Sequence, residues 1–301
     1  LYPDTIITGF AAAGHQVRAK QAIIGIKGKH KDVIEILKQR IEALGFSPYV
    51  QIHILPDVYP AGDEQVLVYE LTGRIVPECS IPLSVGCVVV NAETALNIAH
   101  ALEGKSVTET YVTLQGDIPR PVTLKVPVGM PVREVLMKSG ITNLDDYGVI
   151  DGGPMMGRIG SGSDPVTKTT NAVLVLPRDH QIVMKKQRTS AIDLKRAASI
   201  CCQCNTCTDL CPRHNLGHPI DPAKFMRAAS NNDFRDLNPY IDASFCSSCG
   251  VCEMYACPQS LAPRTLLADM KGGLRKAGIR PPQGVQPVPV QPSREYRKVP
   301  E

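Results

Sequence analysis

Five cysteines fall within the eleven residues Cys201–Cys211, in the run CCQCNTCTDLCP. Four of them, Cys201, Cys204, Cys207 and Cys211, are spaced C-x2-C-x2-C-x3-C and are followed by proline. Forty-five residues after Cys201 the pattern returns: Cys246, Cys249, Cys252 and Cys257 read C-x2-C-x2-C-x4-C, again before proline. Three thiolates at this spacing can wrap three corners of a [4Fe–4S] cube from one tight loop, while the fourth corner must come from elsewhere. In two-cluster proteins the fourth cysteine of each run serves the other cluster. The spacing therefore predicts one cluster on Cys201, Cys204, Cys207 and Cys257, and a second on Cys246, Cys249, Cys252 and Cys211. The prolines turn the chain away and leave no competing N–H. Cys202 fits neither register and is the spare thiol.

Zinc also uses C-x2-C pairs, but it draws two pairs from separate strands or knuckles rather than three evenly spaced cysteines and a fourth before proline. A zinc-stabilised interaction module is thus the alternative of another class. Each oxidised cube with four thiolates nets about −2, so two of them would offset the formal charge of +4. Two clusters in one small domain form a relay whose function depends on what stands at its ends.

The elements that must position these loops are helical. DPAKFMRAAS offers Asp221 as N-cap, Pro222 in the first turn, and Phe225, Met226 and Ala229 on one face. APRTLLADMK repeats the arrangement with Pro263, Leu266, Leu267 and Met270. Residues 188–278 are expected to form an α-helical two-cluster ferredoxin-like domain. The last stretch, 279–301, carries six prolines in its final 21 residues and reads as a linker or tail without regular structure.

Upstream, residues 1–105 alternate helical and strand patterns. A helical face runs through Ile6, Ile7, Phe10, Ala11 and Val17; AIIGI at 22–26 is a short strand; and Ile34, Leu37, Ile41 and Leu44 form a stripe that stops at Gly45. VQIHIL follows as a strand, then a helix through Val66–Leu71 ending near Gly73, a strand GCVVV at 86–90 and a helix at about 92–102. Such repeats predict an α/β (α+β) layer with some parallel sheet. Residues 106–150 differ: TYVTL and VTLKV flank a turn, and MPVREVLMKSG starts a helix, which suggests a small β-grasp (SLBB) unit. In 151–187 a glycine-rich loop, DGGPMMGRIGSGSDP, precedes the strand AVLVLP, which is expected to return to the α/β part.

Composition excludes several classes. Hydrophobic residues make up 43% of the 301, with no Trp and five Phe, so the core is aliphatic. A charge of +4 with scattered basic residues does not argue for nucleic acid. No apolar run reaches the length of a membrane span, so an integral membrane protein is not expected. Cys79 and Cys87 sit among aliphatic residues and read as small buried hydrophobes. The start, LYPDTIITGF, resembles no signal peptide and has no initiator Met, which together with the proline-rich end points to a fragment of a longer chain. The abundance of thiols suits a reducing, cytoplasmic setting.

Several stretches carry a family resemblance: VYPAGDEQVLVYELTGRIVP at 58–77, VGCVVVNAETALNIAHAL, VIDGGPMMG and DPVTKTTNAVLVLP, with HILPDVYPAGDE and CTDLCPRH. From about residue 20 to 275 the chain resembles the cobalamin reductases of propanediol-utilisation microcompartments. These are related to the C subunit of the Rnf complex and to the flavoprotein subunit of complex I. The resemblance implies an FMN- and NADH-type domain, an SLBB unit and two [4Fe–4S] clusters. Electrons would pass from NADH through FMN and the clusters to cobalamin, in an NADH-dependent cobalamin reductase inside a bacterial microcompartment, with an adenosyltransferase and shell proteins as partners. An electron-relay subunit of an Rnf-type membrane complex is the alternative.

The resemblance places flavin contacts on Gly62, Asp63 and Glu64 and on Asn91, Glu93 and Thr94. Asp63 and Asn91 also suit plain helix capping. The family's glycine-rich loop is missing before these motifs, as is its Gly-Ala-Glu-Cys-Glu-Pro stretch after them. Gly152–Gly157 is no substitute, because it does not lie between a strand and a helix. Flavin binding by this chain is accordingly expected to be weak or absent. His214 and His218, beside the first cysteine run, read as local polar contacts, with partner docking or cobalt ligation as the alternative.

Overall fold

The parallel strands expected near the start of the chain form through a strand–helix–strand crossover. A computed structural model describes residues 2–281 and 289–300. Contacts divide the chain into two units, Leu1–Ser106 with Asp209–Ile220 and Arg280–Glu301, and Val107–Thr208 with Asp221–Ile279.

In the first unit α1 (Pro3–Gln16) starts on a proline, whose missing N–H costs nothing in a first turn. β1 (Ala22–Lys27), α2 (Lys31–Ala43) and β2 (Val50–Leu55) follow, and the two strands pair in parallel with Ala22 opposite Val50. The apolar stripe of α2 closes the layer: Leu37 and Ile41 pack with Ile7, Ala11, Ala22 and Val50 in one core. A two-residue strand, β3 (Val58–Tyr59), leads to α3 (Glu64–Thr72), which Gly73 ends in the left-handed conformation. α4 (Ala92–Leu102) crosses α1 so closely that a Cβ on Gly9 would lie 1.9 Å from the Ala95 carbonyl oxygen, so only glycine fits there.

Two expectations fail within Leu1–Ser106. GCVVV at 86–90 is not a strand: Gly86 takes a left-handed φ of 72° at the end of a 3-10 turn, and Val88 emerges exposed. Apolar character alone cannot make a strand where no neighbour offers a ladder. Cys79 and Cys87 are not buried hydrophobes either. Cys79 is exposed, at a positive φ of 56°, and Cys87 is half-buried, with its thiol 3.8 Å from the Val85 carbonyl and 4.0 Å from the Arg74 guanidinium.

The second unit begins with the hairpin β4 (Glu109–Gly116) and β5 (Val122–Pro127), then α5 (Val132–Met137), with Pro131 at its N-cap. β6 (Tyr147–Asp151) and β7 (Arg158–Gly160) form a second antiparallel pair, so the stretch from Gly152 to Gly157 is the turn between two strands. β8 (Ala172–Pro177) completes a sheet ordered β5-β4-β8-β6-β7, parallel to β4 and antiparallel to β6. The strand AVLVLP therefore joins the hairpin's sheet instead of returning to the α/β part. Its alternating Val173 and Val175 enter the core that holds Val112 and Leu114 of β4 and Val135 and Leu136 of α5. That shared burial fixes both partner and register.

Helices then take over: α6 (Gln181–Gln187), α7 (Ser190–Ile200), α8 (Thr206–Asp209), α9 (Pro212–Asn215), α10 (Pro222–Ser230), α11 (Asn238–Ile241) and α12 (Pro263–Lys276). Asp221 caps α10 by accepting from the Lys224 N–H, and Phe225, Met226, Leu266 and Leu267 are buried, as the sequence predicts. Among the described residues, no helix is long and apolar enough to cross a membrane.

The C-terminal stretch is ordered around proline instead of lacking regular structure. Pro292 opens a 3-10 turn, and β9 (Val299–Pro300) pairs antiparallel with β3, with Val58 opposite Pro300. Proline is admissible at the start of a turn and on an edge strand. Arg294, buried, forms an ion pair with Glu70 and lies 4.7 Å over the Tyr69 ring. Residues 282–288 of this stretch lie outside the described residues. Arg294→Ala should cost about 2 kcal/mol, below the usual penalty for breaking a buried pair, because Lys298 remains 3.6 Å from Glu70. Urea unfolding checks this, and an unchanged midpoint would mean that the pair adds nothing to docking of the terminal stretch.

Candidate functional site

The two cysteine loops share a backbone design that composition does not announce. In the first, the residues flanking Cys204 are left-handed, Gln203 at φ 54° and Asn205 at φ 67°. In the second, the residues flanking Cys249 do the same, Ser248 at φ 59° and Gly250 at φ 85°. Left-handed residues between right-handed ones turn successive N–H groups toward one side, a concavity suited to anionic groups, Fe–S sites included. The Ser248 N–H accordingly donates to Cys246 Sγ at 3.3 Å. Gly250 is required for a second reason: a Cβ there would meet the Met155 carbonyl oxygen at 2.7 Å.

Cys201, Cys204, Cys207 and Cys257 surround one hollow of ≈ 30 Å³, whose wall also includes Ala223, Met226, Leu261 and Pro263. The hollow is held in place by Thr208, which is buried. Its hydroxyl donates to Asp221 Oδ1 at 2.6 Å and accepts from the Ala223 N–H at 2.8 Å, tying the first loop to the start of α10. On the opposite side the Leu261 N–H donates to Cys257 Sγ at 3.3 Å. Burial pushes the Cys207 thiol up to about 12, and the neighbouring Cys257, Cys204 and Cys201 thiolates add to the rise. A buried thiol whose ionisation its neighbours make harder is a poor arrangement in an apolar hollow unless a cationic core lies between them. The residues present therefore fit an iron–sulfur core. Cys204 departs the other way: the Thr206 hydroxyl, 3.3 Å from its sulfur, pulls its thiol down. Cys202 stands exposed on the rim.

Cys246, Cys249 and Cys252 are all buried in the second unit. Lys271 Nζ donates to the Cys246 carbonyl at 2.6 Å, and Cys252 lies in a π-helical turn, Val251–Tyr255. Cys211, also buried, belongs to the first unit, where it precedes Pro212 at the start of α9.

Sequence reasoning missed the charges Glu253 and Lys185 near Cys257. Glu253 caps α12, accepting from the Thr265 N–H at 2.8 Å and its hydroxyl at 3.2 Å. Lys185 Nζ donates to the Glu253 carbonyl at 2.6 Å, and burial holds the lysine below its ordinary range while Glu253 and Cys257 oppose that shift. Such contacts across 68 residues leave no local signature.

The flavin motifs sit at two helix starts in the first unit. Asp63 Oδ1 accepts from the N–H groups of Gln65 and Val66, while its Oδ2 pairs with Arg213 at 3.0 Å, both side chains nearly buried. Asn91 Oδ1 accepts from the Glu93 N–H. The capping reading is thus what the structure shows for Asp63 and Asn91. Gly62 is exposed with open space where a Cβ would point, and Glu64 and Thr94 are exposed. Of the residues expected to contact flavin, Asp63 thus has its carboxylate already engaged. His218 is buried, with Nε2 3.0 Å from the Val76 carbonyl, and burial holds its ring below the ordinary imidazole range. His214 Nδ1 lies 2.9 Å from the Ile220 carbonyl. His214 makes the local polar contact read from the sequence, whereas His218 reaches a carbonyl 142 residues away.

Fold and loops together define a flavoprotein-type α/β unit joined to a two-cluster iron–sulfur domain. Residues 1–100 match the Nuo51 FMN-binding domain, and residues 200–262 match a 4Fe-4S dicluster domain. The chain is similar to the cobalamin reductase PduS of Citrobacter freundii, 40% identical over 92% of this chain and 61% of that protein. The PduS of Salmonella typhimurium is 39% identical over 91% and 60% of the two chains. The C subunit of the Na(+)-translocating ferredoxin:NAD(+) oxidoreductase complex of Acetobacterium woodii is 30% identical over 74% and 47%. The chain thus spans about three fifths of the cobalamin reductases it matches. Among solved structures, an NAD+-reducing [NiFe]-hydrogenase in the H2-reduced state superposes with TM-score 0.55 at 16% identity, covering 93% of this chain and 53% of that one. The likeness to cobalamin reductases and to the Rnf complex seen in the sequence is borne out, and the hydrogenase likeness shows the fold alone.

Asp63→Asn keeps a capping oxygen but leaves Arg213 without its counter-charge, and should cost about 3 kcal/mol, as for other broken buried pairs. Thermal unfolding of the first unit checks it. An unchanged stability together with lost flavin retention would make Asp63 a flavin contact instead.

Proposed function

We propose that this chain is the electron-carrying portion of an NADH-dependent cobalamin reductase, with FMN and two [4Fe–4S] clusters between NADH and cobalamin. The observation that carries this reading is the gathering of Cys201, Cys204, Cys207 and Cys257 around one hollow, from segments fifty residues apart in sequence. By spacing, Cys211 joins Cys246, Cys249 and Cys252 in the second set. When bound, flavin exchanges hydride for single electrons and the clusters carry those electrons one at a time. The protein's own share is to hold thiolates at fixed positions, to keep water out with Met226, Leu261 and Pro263, and to turn loop amides toward the sulfurs.

Gly62, Glu64 and Thr94 remain available to FMN, with Asp63, Asn91 and Glu93 shaping the helix starts beside them. The missing glycine-rich run makes weak retention of flavin the expectation for this chain. The β4–β5 hairpin with α5 supports an SLBB-type unit between the two cofactor domains. Cobalamin as acceptor is supported by the two reductases, which are more similar over more of the chain than the ferredoxin:NAD(+) oxidoreductase subunit is. An Rnf-type relay is therefore the second reading. The same resemblance supports a place in a propanediol-utilisation microcompartment of the cytoplasm, beside an adenosyltransferase and shell proteins.

Iron, sulfide, zinc and flavin content of anaerobically purified protein tests the reading. About eight iron and eight sulfide per chain are expected, falling to about four of each in Cys257→Ala and holding at about eight in Cys202→Ala. About two zinc per chain without sulfide, persisting after anaerobic reconstitution with iron, would leave only a structural module.

A further inference from the structure

Cys246, Cys249 and Cys252 are buried, whereas Cys204 of the first loop is exposed, although the two loops share one backbone design. Part of the cover on the second loop is the glycine-rich turn between β6 and β7. The Met155 carbonyl of that turn faces Gly250, the residue after Cys249, where a Cβ would lie 2.7 Å from its oxygen. The forty-five-residue repeat gives an internal control. The residue after Cys204 is Asn205, left-handed at φ 67°. The left-handed position by itself therefore does not demand glycine; the Met155 carbonyl does.

The turn is fixed from behind. The Gly157 N–H donates to the Gly153 carbonyl at 2.8 Å, and a Cβ on Gly157 would lie 2.5 Å from that same oxygen. Lys186 Nζ, on α6, donates to the Gly157 carbonyl at 2.7 Å, and the Arg264 guanidinium lies 3.4 Å from the Met156 carbonyl. The Gly250 carbonyl in turn accepts from the Met254 N–H at 2.8 Å, in the π-helical turn that carries Cys252. Contacts thus run from α6 through the glycine-rich turn to the ligand loop, all inside the second unit. The shell around a metal site controls solvent access to it. We infer that the Gly152–Gly157 turn is a cover seated on the second cysteine loop by Lys186 and Gly250, and that it shields the cluster this loop holds from water and oxygen. The inference rests on the iron–sulfur reading above. Lys186 and Gly250 are positioning residues, and neither is a ligand.

The test uses the full chain, loaded anaerobically with iron and sulfide, and follows iron content and the EPR signals of the reduced protein before and during exposure to air. Cys204→Ala and Cys249→Ala identify which signal belongs to which loop. In Gly250→Ala and Gly250→Asn alike, the second-loop signal is lost and iron falls from about eight to about four per chain. Lys186→Met loads fully, but its second-loop signal decays in air several-fold faster than in wild type, while the first-loop signal keeps its rate. Lys186→Arg returns the decay toward the wild-type rate. Asparagine is tolerated in the left-handed region, so Gly250→Asn that loads fully would make the backbone, not the turn, the constraint at this position and would overturn the inference. Equal acceleration of both signals in Lys186→Met, or none in either, overturns it as well. If Lys186→Met does not load, the comparison of Gly250→Asn with wild type decides. Wild-type protein that takes up no iron overturns the relay, and this inference with it.

Discussion

Four cysteine sulfurs are held around one small apolar hollow, and at the buried one their negative charges would oppose one another. The opposition is visible at Cys207, whose thiol is pushed up to about 12 by burial and by its three neighbours. Three of the sulfurs come from one turn with left-handed Gln203 and Asn205, a conformation unfavourable for glutamine and tolerated by asparagine. The fourth comes from Cys257, fixed through the Leu261 N–H. Thr208 and Asp221 lock the turn onto α10, and Glu253 locks the Cys257 side onto α12. Such strain persists only where surrounding contacts over-determine it, which is the usual mark of a functional site. A cationic core between the sulfurs converts the opposition into attraction.

The first unit is held by different means. Its layer is apolar, but the pieces added from later in the chain arrive on charges. Residues 209–220 dock through Arg213 on Asp63 and through His218 on the Val76 carbonyl. Residues 289–300 dock through Arg294 on Glu70, and Arg297 lies 3.4 Å from Asp209. Buried pairs of this kind add little net stability but penalise any arrangement that leaves one charge alone, so they select position more than they bind. Asp63 shows how one residue can serve twice, capping α3 with one oxygen and anchoring Arg213 with the other.

Much of this is legible in the sequence for identifiable reasons. Cysteine spacing is a local property, and so are Asp221 with Pro222 at the start of α10, the stripe of α2 and the stop at Gly73. The repeat of forty-five residues announces two equivalent loops ahead of any fold. Capping at Asp63 and Asn91 is visible as well, although the residue types alone do not separate it from flavin contact. The signals fail where partners lie far away. GCVVV looks like a strand because apolar content says nothing about whether a neighbouring strand is present. AVLVLP reads as a strand and is one, but its place beside β4 depends on a core shared with residues some sixty positions earlier. Proline count hides the ordered turn and β9, since prolines forbid helix interiors and central strands but allow edges.

What the sequence by itself determined is the inventory: eight thiols in two registers, one thiol left over in the first run, and the helices and strands with strong local periodicity or capping. These follow from interactions within a few residues, where spacing and residue type are sufficient. Only the tertiary structure decided which thiols share a hollow, that the loop flanks are left-handed, that the Thr206 hydroxyl donates to the Cys204 sulfur, and that Asp63 is already paired. Those outcomes depend on contacts between segments distant in the chain, and on burial that raises or lowers the cost of charge. Neither is written in the local order of residues.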